Sequence, residues 1–341
     1  MVQQLQVVRT ANANPYRNLA VEKHLLDHVQ PGQCVLYLWR NANTVVIGRN
    51  QSAQQEVRLE QLRKAGGRLA RRLSGGGAVY HDLGNLNFTF VAQRPDYDSD
   101  QQTQVIVEAL RMLGVEAERT GRNDLLAGGR KFSGHAYYRT SGACLHHGTL
   151  MVDVDLANMG RFLQPASEKL AAKGVASVHA RVANLAQLRP GISVGILAEA
   201  LETAFGKVYR LPCEQLDASE LDAADIKELT QRFAAPEWLL REQLDGGQSA
   251  SARFSWGGVT LHWREEQGRV GACSLSSDGL EADFLAGLPE VLTGCELAPG
   301  AVQQALEAHA QTPAQREQAR DIAGLLFSTA AYHDGRVALN G

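Results

Sequence analysis

The 341-residue chain predicts an α+β fold: a mixed β-sheet with packed helices, followed by a small second α+β domain. Three observations carry that reading. Short strand-like runs outnumber helical ones, and the two kinds interleave without a regular strand–helix–strand repeat. A composition shift at Asp245–Ser251 also sets off a C-terminal part with strands and helices of its own. At this length two domains can each bury a core.

In chain order, Asn18 is placed to cap a helix in which Leu19, Leu25, Leu26 and Val29 fall near one face. Strands are expected over 34–39 and 44–47, then a helix near 57–64. Further strands fit 68–73, 78–81 and 87–91, where Asn87, Thr89 and Val91 alternate with Phe88 and Phe90. Residues 102–113 read as an amphipathic helix ended by Gly114, and 145–154 as a strand. The expected division is 1–245, a linker at 246–252, and 253–341. Strands over 253–263 and 269–276, covered by helices near 281–288, 302–309 and 315–326, make up the second domain. Its His262, His309 and His333 stand alone.

Composition narrows the function classes. A net charge of −3 with mixed signs gives no nucleic-acid footprint. No apolar run reaches the ~20 residues that span a bilayer. The N-terminus lacks the basic region and apolar core of a signal peptide, and Cys34, Cys144, Cys213, Cys273 and Cys295 are scattered. Free thiols in a cytoplasmic protein are the expectation. There is no Gly-x-x-x-x-Gly-Lys-Ser/Thr loop, no His-Glu-x-x-His and no Cys-x-x-Cys.

The densest chemistry lies in Arg71-Arg72-Leu73-Ser74-Gly75-Gly76-Gly77-Ala78-Val79-Tyr80-His81-Asp82. Glycine backbone can press its N–H groups against a ligand, and with flanking arginines it forms a cradle for anionic oxygens. The plainer alternative is a hairpin turn between two strands with solvated arginines. About fifty residues on, Leu125-Leu126 leads into Gly128-Gly129, a tight hairpin turn that brings Asn123 and Asp124 towards Arg130 and Lys131. A carboxylate there either holds the lysine ammonium, binds magnesium, or makes a surface ion pair. In a strand over 145–154, Cys144 and His146 point one way and His147 the other. One histidine is expected in the core and the other against a pocket, without a metal.

These segments resemble the lipoate–protein ligase A family in its bacterial two-domain form. The resemblance rests on the Arg71–Asp82 run together with 38–41, 44–49, 121–125, 129–134 and 146–150, and then on Lys169–Gly174 through Asn184-Leu185. It covers most of the first 245 residues and continues weakly through 254–259. It implies a biotin/lipoate-ligase-type fold with an accessory C-terminal domain. It also implies ATP-dependent activation of lipoate to lipoyl-AMP, with Mg2+, and transfer to a lysine of lipoyl domains. The acceptors would be E2 subunits of 2-oxoacid dehydrogenases and the glycine-cleavage H protein, and the enzyme a cytoplasmic monomer without membrane or nucleic-acid partners.

By the same resemblance, Lys131 is the catalytic residue, contacting both lipoate and the α-phosphate. Arg72, Asp124 and the backbone of Gly77, Ala78, Val79 and Tyr80 serve the nucleotide, with Asp124 a candidate magnesium ligand. Val46, Ser74, Gly76, His81 and His147 line the lipoate pocket; the alternative for His81 is a strand-end histidine bonded to Asp82, and for Ser74 a hydroxyl that only fixes the turn. The loop 169–184 would close over the adenylate, or is a solvated connection. Two other functions remain open. Related acyltransferases move octanoyl groups through a cysteine thioester without ATP, a role for Cys144; a catalytically silent lipoate-binding protein is the other.

Overall fold

The computed structural model describes residues 1–121, 123–164, 182–241, 244 and 246–328. They fall into two compact units, 1–47, 54–72 and 78–239 in the first, and 48–53, 73–77 and 240 onward in the second. Most of the loop 169–184 lies outside the described residues.

The first unit is built on an eight-stranded mixed sheet. Its strands are β1 (Gln4–Arg9), β2 (Gln33–Trp39), β6 (Asn85–Gln93), β7 (Glu118–Thr120), β8 (Asp124–Ala127), β9 (Arg130–Arg139), β10 (Ala143–Met151) and β11 (Cys213–Asp217). The order is β11-β1-β2-β6-β10-β9-β8-β7. β1 runs parallel to both neighbours, and the strands from β2 onward are antiparallel. On one face Leu36, Leu38, Phe88 and Phe90 pack with α4 (Ser99–Met112) and, after the short α5 (Leu156–Phe162) and α6 (Leu185–Leu188), with α7 (Val194–Tyr209). Each such side chain contributes ~1.5–3 kcal/mol by leaving water. The other face meets α1 (Pro15–His28). Asn87 and Thr89 point that way and are buried, so the alternation read in β6 separates an apolar core from a polar interior, not core from solvent.

Helix α1 starts earlier than expected. Asn14 caps it by accepting from Tyr16 N–H, and Pro15 sits at its first position. Asn18 lies inside the helix, buried, with its amide donating to the carbonyls of Asn12 and Arg40 and to Asn41 Oδ1. A smaller sheet has β3 (Thr44–Ile47) in the middle, β4 (Arg68–Arg71) parallel on one edge and β5 (Val79–His81) antiparallel on the other. A parallel pair needs a crossover, which α2 (Ala53–Glu56) and α3 (Leu59–Lys64) supply. Because β4 and β5 are not neighbours, the glycine segment between them is not a hairpin turn.

The first unit ends with α8 (Ala223–Ala234), packed on α1, and α9 (Pro236–Leu240). Arg71, fully buried, donates from Nε and Nη2 to the Leu239 carbonyl and from Nε to that of Trp238, while Trp238 Nε1 donates back to the Arg71 carbonyl. This arginine of the motif is therefore a structural clamp.

In the second unit the sheet is β12 (Gln248–Phe254), β13 (Gly257–Glu266) and β14 (Arg269–Ser277), with α10 (Ala282–Leu292), α11 (Pro299–His309) and α12 (Pro313–Phe327) packed against Trp263, Leu261 and Val270. Two expectations need correcting. Residues 248–252 are strand, not linker, and the expected strand over 253–263 is the end of β12, a two-residue turn and the start of β13. The Gln-Ser-Ala-Ser-Ala run looks like a linker by composition, yet it alternates, with Ala250 buried between exposed or partly exposed neighbours.

Candidate functional site

Gly128 and Gly129 have φ of +56° and +71°, so the β8–β9 turn uses two left-handed residues, as a two-residue hairpin of the primed type requires. Ala127 pairs with Arg130, Leu126 with Lys131 and Leu125 with Ser133, which leaves Phe132 as an extra residue, a β-bulge. Phe132 is fully buried in the core. Lys131 Nζ lies 2.7 Å from Asp124 Oδ1, both side chains being about one-third exposed. The lysine folds over Gly134, where a Cβ would come 3.1 Å from Nζ. Its carbonyl accepts from Ala183 N–H at 2.9 Å. Asn123 bonds His135 through its carbonyl and its side-chain amide. Of the expected cluster, the ion pair that forms is Asp124–Lys131.

A second group of site residues gathers around β3, β5, α1 and β10. Arg72 is buried; its N–H donates to Ile47 O at 3.0 Å and its Nη1 to Val46 O at 3.3 Å. Burial pushes its pKa down to about 10, partly offset by the Glu22 carboxylate, so it remains a cation at neutral pH. His81 is also buried and takes a hydrogen bond from Asn41 Nδ2 at Nδ1, 3.1 Å, not from or to Asp82. Asp82 instead accepts from the N–H groups of Gly84 and Asp155. Asn41 is oriented in turn by Asn18, and Asn18 Oδ1 by the Tyr37 hydroxyl. With Nδ1 accepting, the proton of His81 sits on Nε2, a buried donor with no partner among the described residues. Burial first, then Arg72 and His147, lower its pKa to about 3, so it is neutral. An unpaired N–H beside a buried guanidinium is what an acceptor-bearing ligand would satisfy.

His147 donates from Nδ1 to Glu22 Oε1 at 2.8 Å. Thr89 also donates to Glu22 and accepts from Trp39 Nε1. Glu22, Thr89, Trp39 and Asn41 were missed in the sequence. The signal available was a carboxylate within the apolar stripe of α1 and the polar positions of β6. His146, on the opposite face of β10, is fully buried among Phe88, Phe90 and Tyr137. One histidine thus sits in the core and the other among polar site residues. His146 donates to Gln102 and accepts from His135, so neither ring nitrogen is available to Cys144. The Cys144 thiol is buried and its pKa is raised by that burial.

Ser74, Gly76 and Gly77 belong to the second unit. Ser74 is fully buried, and its carbonyl accepts from Arg49 N–H. Gly75 and Gly76 lie against protein: Gly76 N–H donates to the Gly279 carbonyl at 3.2 Å, and a Cβ on Gly75 would meet that oxygen at 2.1 Å. Around Gly77 a Cβ would meet nothing within 4 Å. In the first unit, Val79 and Tyr80 pair with Val46 and Val45, and Tyr80 Oη donates to Asn43.

The first unit thus carries an ammonium–carboxylate pair, and a buried guanidinium near an imidazole N–H that has no partner among the described residues. Residues 14–206 match the lipoyl protein ligase A/B catalytic domain and residues 248–326 the bacterial lipoate protein ligase C-terminus, and the chain belongs to this ligase family. Among solved structures, a bipartite lipoate protein ligase from Thermoplasma acidophilum, studied with its E2 lipoyl domain, is 30% identical over 72% of this chain and 99% of its own, with a TM-score of 0.63. A lipoate–protein ligase A bound with ATP is 29% identical over 70% of this chain and 99% of its own, TM-score 0.61. The fold of P. falciparum LipL1, in complex with lipoate, is similar over 93% of this chain and 98% of its own at TM-score 0.82 and 23% identity. No helix among the described residues is long and apolar enough to cross a membrane.

Proposed function

We propose that the protein activates lipoate with ATP and transfers the lipoyl group to a lysine of apo lipoyl domains, those of E2 subunits and the glycine-cleavage H protein. The observation that carries this reading is the Lys131 ammonium fixed by Asp124 over Gly134. In the first step a lipoate carboxylate oxygen bonds the α-phosphorus while the bond to pyrophosphate breaks. Lys131 sits between the two anions and offsets their repulsion as charge builds on the phosphoryl oxygens. Asp124 aims the ammonium, and its second oxygen would be the carboxylate ligand of a Mg2+ ion that neutralises charge on the nucleotide phosphates. Arg72 and the backbone of Gly77, Ala78, Val79 and Tyr80 take the phosphates. Val46, Ser74, Gly76, His81 and His147 line the lipoate site. In the second step the acceptor amine attacks the anhydride carbonyl, AMP leaves and the amine loses a proton. The activity belongs to residues 1–245, with the C-terminal part accessory, in a cytoplasmic monomer.

Transfer through Cys144 lacks a comparable observation, since its thiol is buried with a raised pKa and His146 is engaged elsewhere. The test is incubation with lipoate, ATP and magnesium, with lipoyl-AMP read by mass spectrometry. Adenylate that is consumed on adding an apo lipoyl domain supports the ligase. Octanoyl transfer from a carrier protein without ATP, lost in Cys144→Ala, would replace it. A finer prediction concerns Gly134→Ala: the added methyl crowds Nζ at 3.1 Å. The adenylation kcat should drop about tenfold through misplacement of the ammonium, with thermal stability little changed. An unaltered kcat would show that Lys131 tolerates displacement.

A further inference from the structure

Helices α1 and α8 bring together a cluster that adenylation does not use. His24 and His28 are four residues apart on α1 and so share one face. Their rings stack, with centroids 4.2 Å apart and planes at 28°. Asp225, in the first turn of α8, places Oδ2 2.5 Å from His24 Nδ1. One donor atom from each of the three side chains lies within 4.8 Å of the other two. His28 Nδ1 is held by the His24 carbonyl at 2.8 Å, which leaves the lone pair on its Nε2. Asp222 caps α8 by accepting from the N–H groups of Ala224 and Asp225, and so fixes the turn that carries Asp225. His24 is buried, Asp225 about one-third exposed and His28 exposed, so protein closes one side of the cluster and water reaches the other.

We propose that His24, His28 and Asp225 form a binding site for a first-row divalent transition-metal ion of the zinc class. Two imidazoles and one carboxylate are the donor set such ions prefer, with solvent completing the shell. Magnesium prefers an all-oxygen shell, so this site is chemically separate from any ion that accompanies a nucleotide. On binding, the metal takes the place of the proton between His24 and Asp225, and that proton passes through solvent to Nε2 of the His24 ring, so that each histidine ligates as a neutral imidazole; one metal–nitrogen bond to each ring and one metal–oxygen bond form, and waters leave the ion. The ion joins α1 to α8. This inference stands on the cluster alone, independently of the ligase reading.

The test is zinc titration by calorimetry of the full-length protein without a histidine tag, with cobalt(II) as the spectroscopic probe. The expected result is one equivalent bound, with a zinc-dependent rise in melting temperature. Affinity should fall at least about tenfold in His28→Ala and in Asp225→Asn, a near-isosteric change that keeps the packing. Cobalt should give visible bands without the thiolate charge-transfer absorption that cysteine ligation produces. No binding in zinc excess, unchanged affinity in both variants, or a thiolate band would each overturn the proposal.

Discussion

Lys131→Ala is expected to abolish lipoyl-adenylate formation, with a loss of about a thousandfold or more, while leaving the fold intact. The size follows from what the ammonium does: a fixed charge on developing phosphoryl oxygens is among the largest single contributions a side chain makes to such a reaction. The intact fold follows from its setting. The lysine side chain is about one-third exposed and its salt bridge to Asp124 is a partly solvated pair, worth ~1 kcal/mol or less to stability. The backbone role of the residue, accepting from Ala183 N–H, survives the change. Asp124→Asn should then fall between wild type and Lys131→Ala, because the amide still fills the space but no longer holds the ammonium electrostatically. The measurement is single-turnover adenylate yield on protein whose circular dichroism matches wild type. A normal yield from folded Lys131→Ala would remove the residue from its central role.

The pair was legible because it depends on local chemistry. Gly128-Gly129 supplies two left-handed residues, and a two-residue turn sets which residues face across it. The bulge at Phe132 was not legible: nothing in Arg-Lys-Phe-Ser-Gly distinguishes a continuous strand from one with an extra residue, and tertiary burial of the phenyl ring decides it. Glu22 was invisible for a related reason. A carboxylate inside an apolar stripe looks like an error in periodicity until His147 and Thr89, both distant in sequence, are seen to bond it. Asn18 was misread because Asn14-Pro15 is the stronger start signal, while a buried asparagine three residues inside the helix has partners that only the folded chain supplies. Motif arginines are similarly divided by topology: Arg71 holds the carbonyl of Leu239 and Arg72 that of Val46, though the sequence presents them as a pair.

Stability is expected to fall steeply as pH drops below 6.5, at about 4 kcal/mol per pH unit. His81 and His135 have pKa values lowered to about 3, and His146 is held well below its usual range, in each case chiefly by burial. Cationic neighbours add to this, Arg72 at His81, and Arg119 with Lys131 at His135. The hydrogen bonds fit three neutral rings: Ser133 donates to His135, His135 to His146, and His146 to Gln102, while Asn41 donates to His81. A proton added at His146 Nε2 or at His81 Nδ1 would oppose one donor with another. The unfolded chain has no such restraint, and its imidazoles take up protons near pH 6.5. Between about 3 and 6.5 the unfolded state therefore binds more protons, so stability rises with pH, is complete above 6.5, and is lost as pH falls. Each ring contributes about 1.4 kcal/mol per unit, and three give the stated slope. Carboxylates held down in the fold, such as Glu108, lowered to about 2 by Arg111 and Lys207, enter only below the unfolded carboxylate pKa, so the histidines dominate the interval from 6.5 to 5. Urea midpoints at pH 7.5, 6.5 and 5.5 measure the slope. His146→Gln should reduce it by about one-third even though it weakens the protein at every pH. Equal midpoints at 7.5 and 5.5 would mean that the rings titrate in the fold, and with it that the neutral chain from Ser133 through His135 and His146 to Gln102 is misassigned.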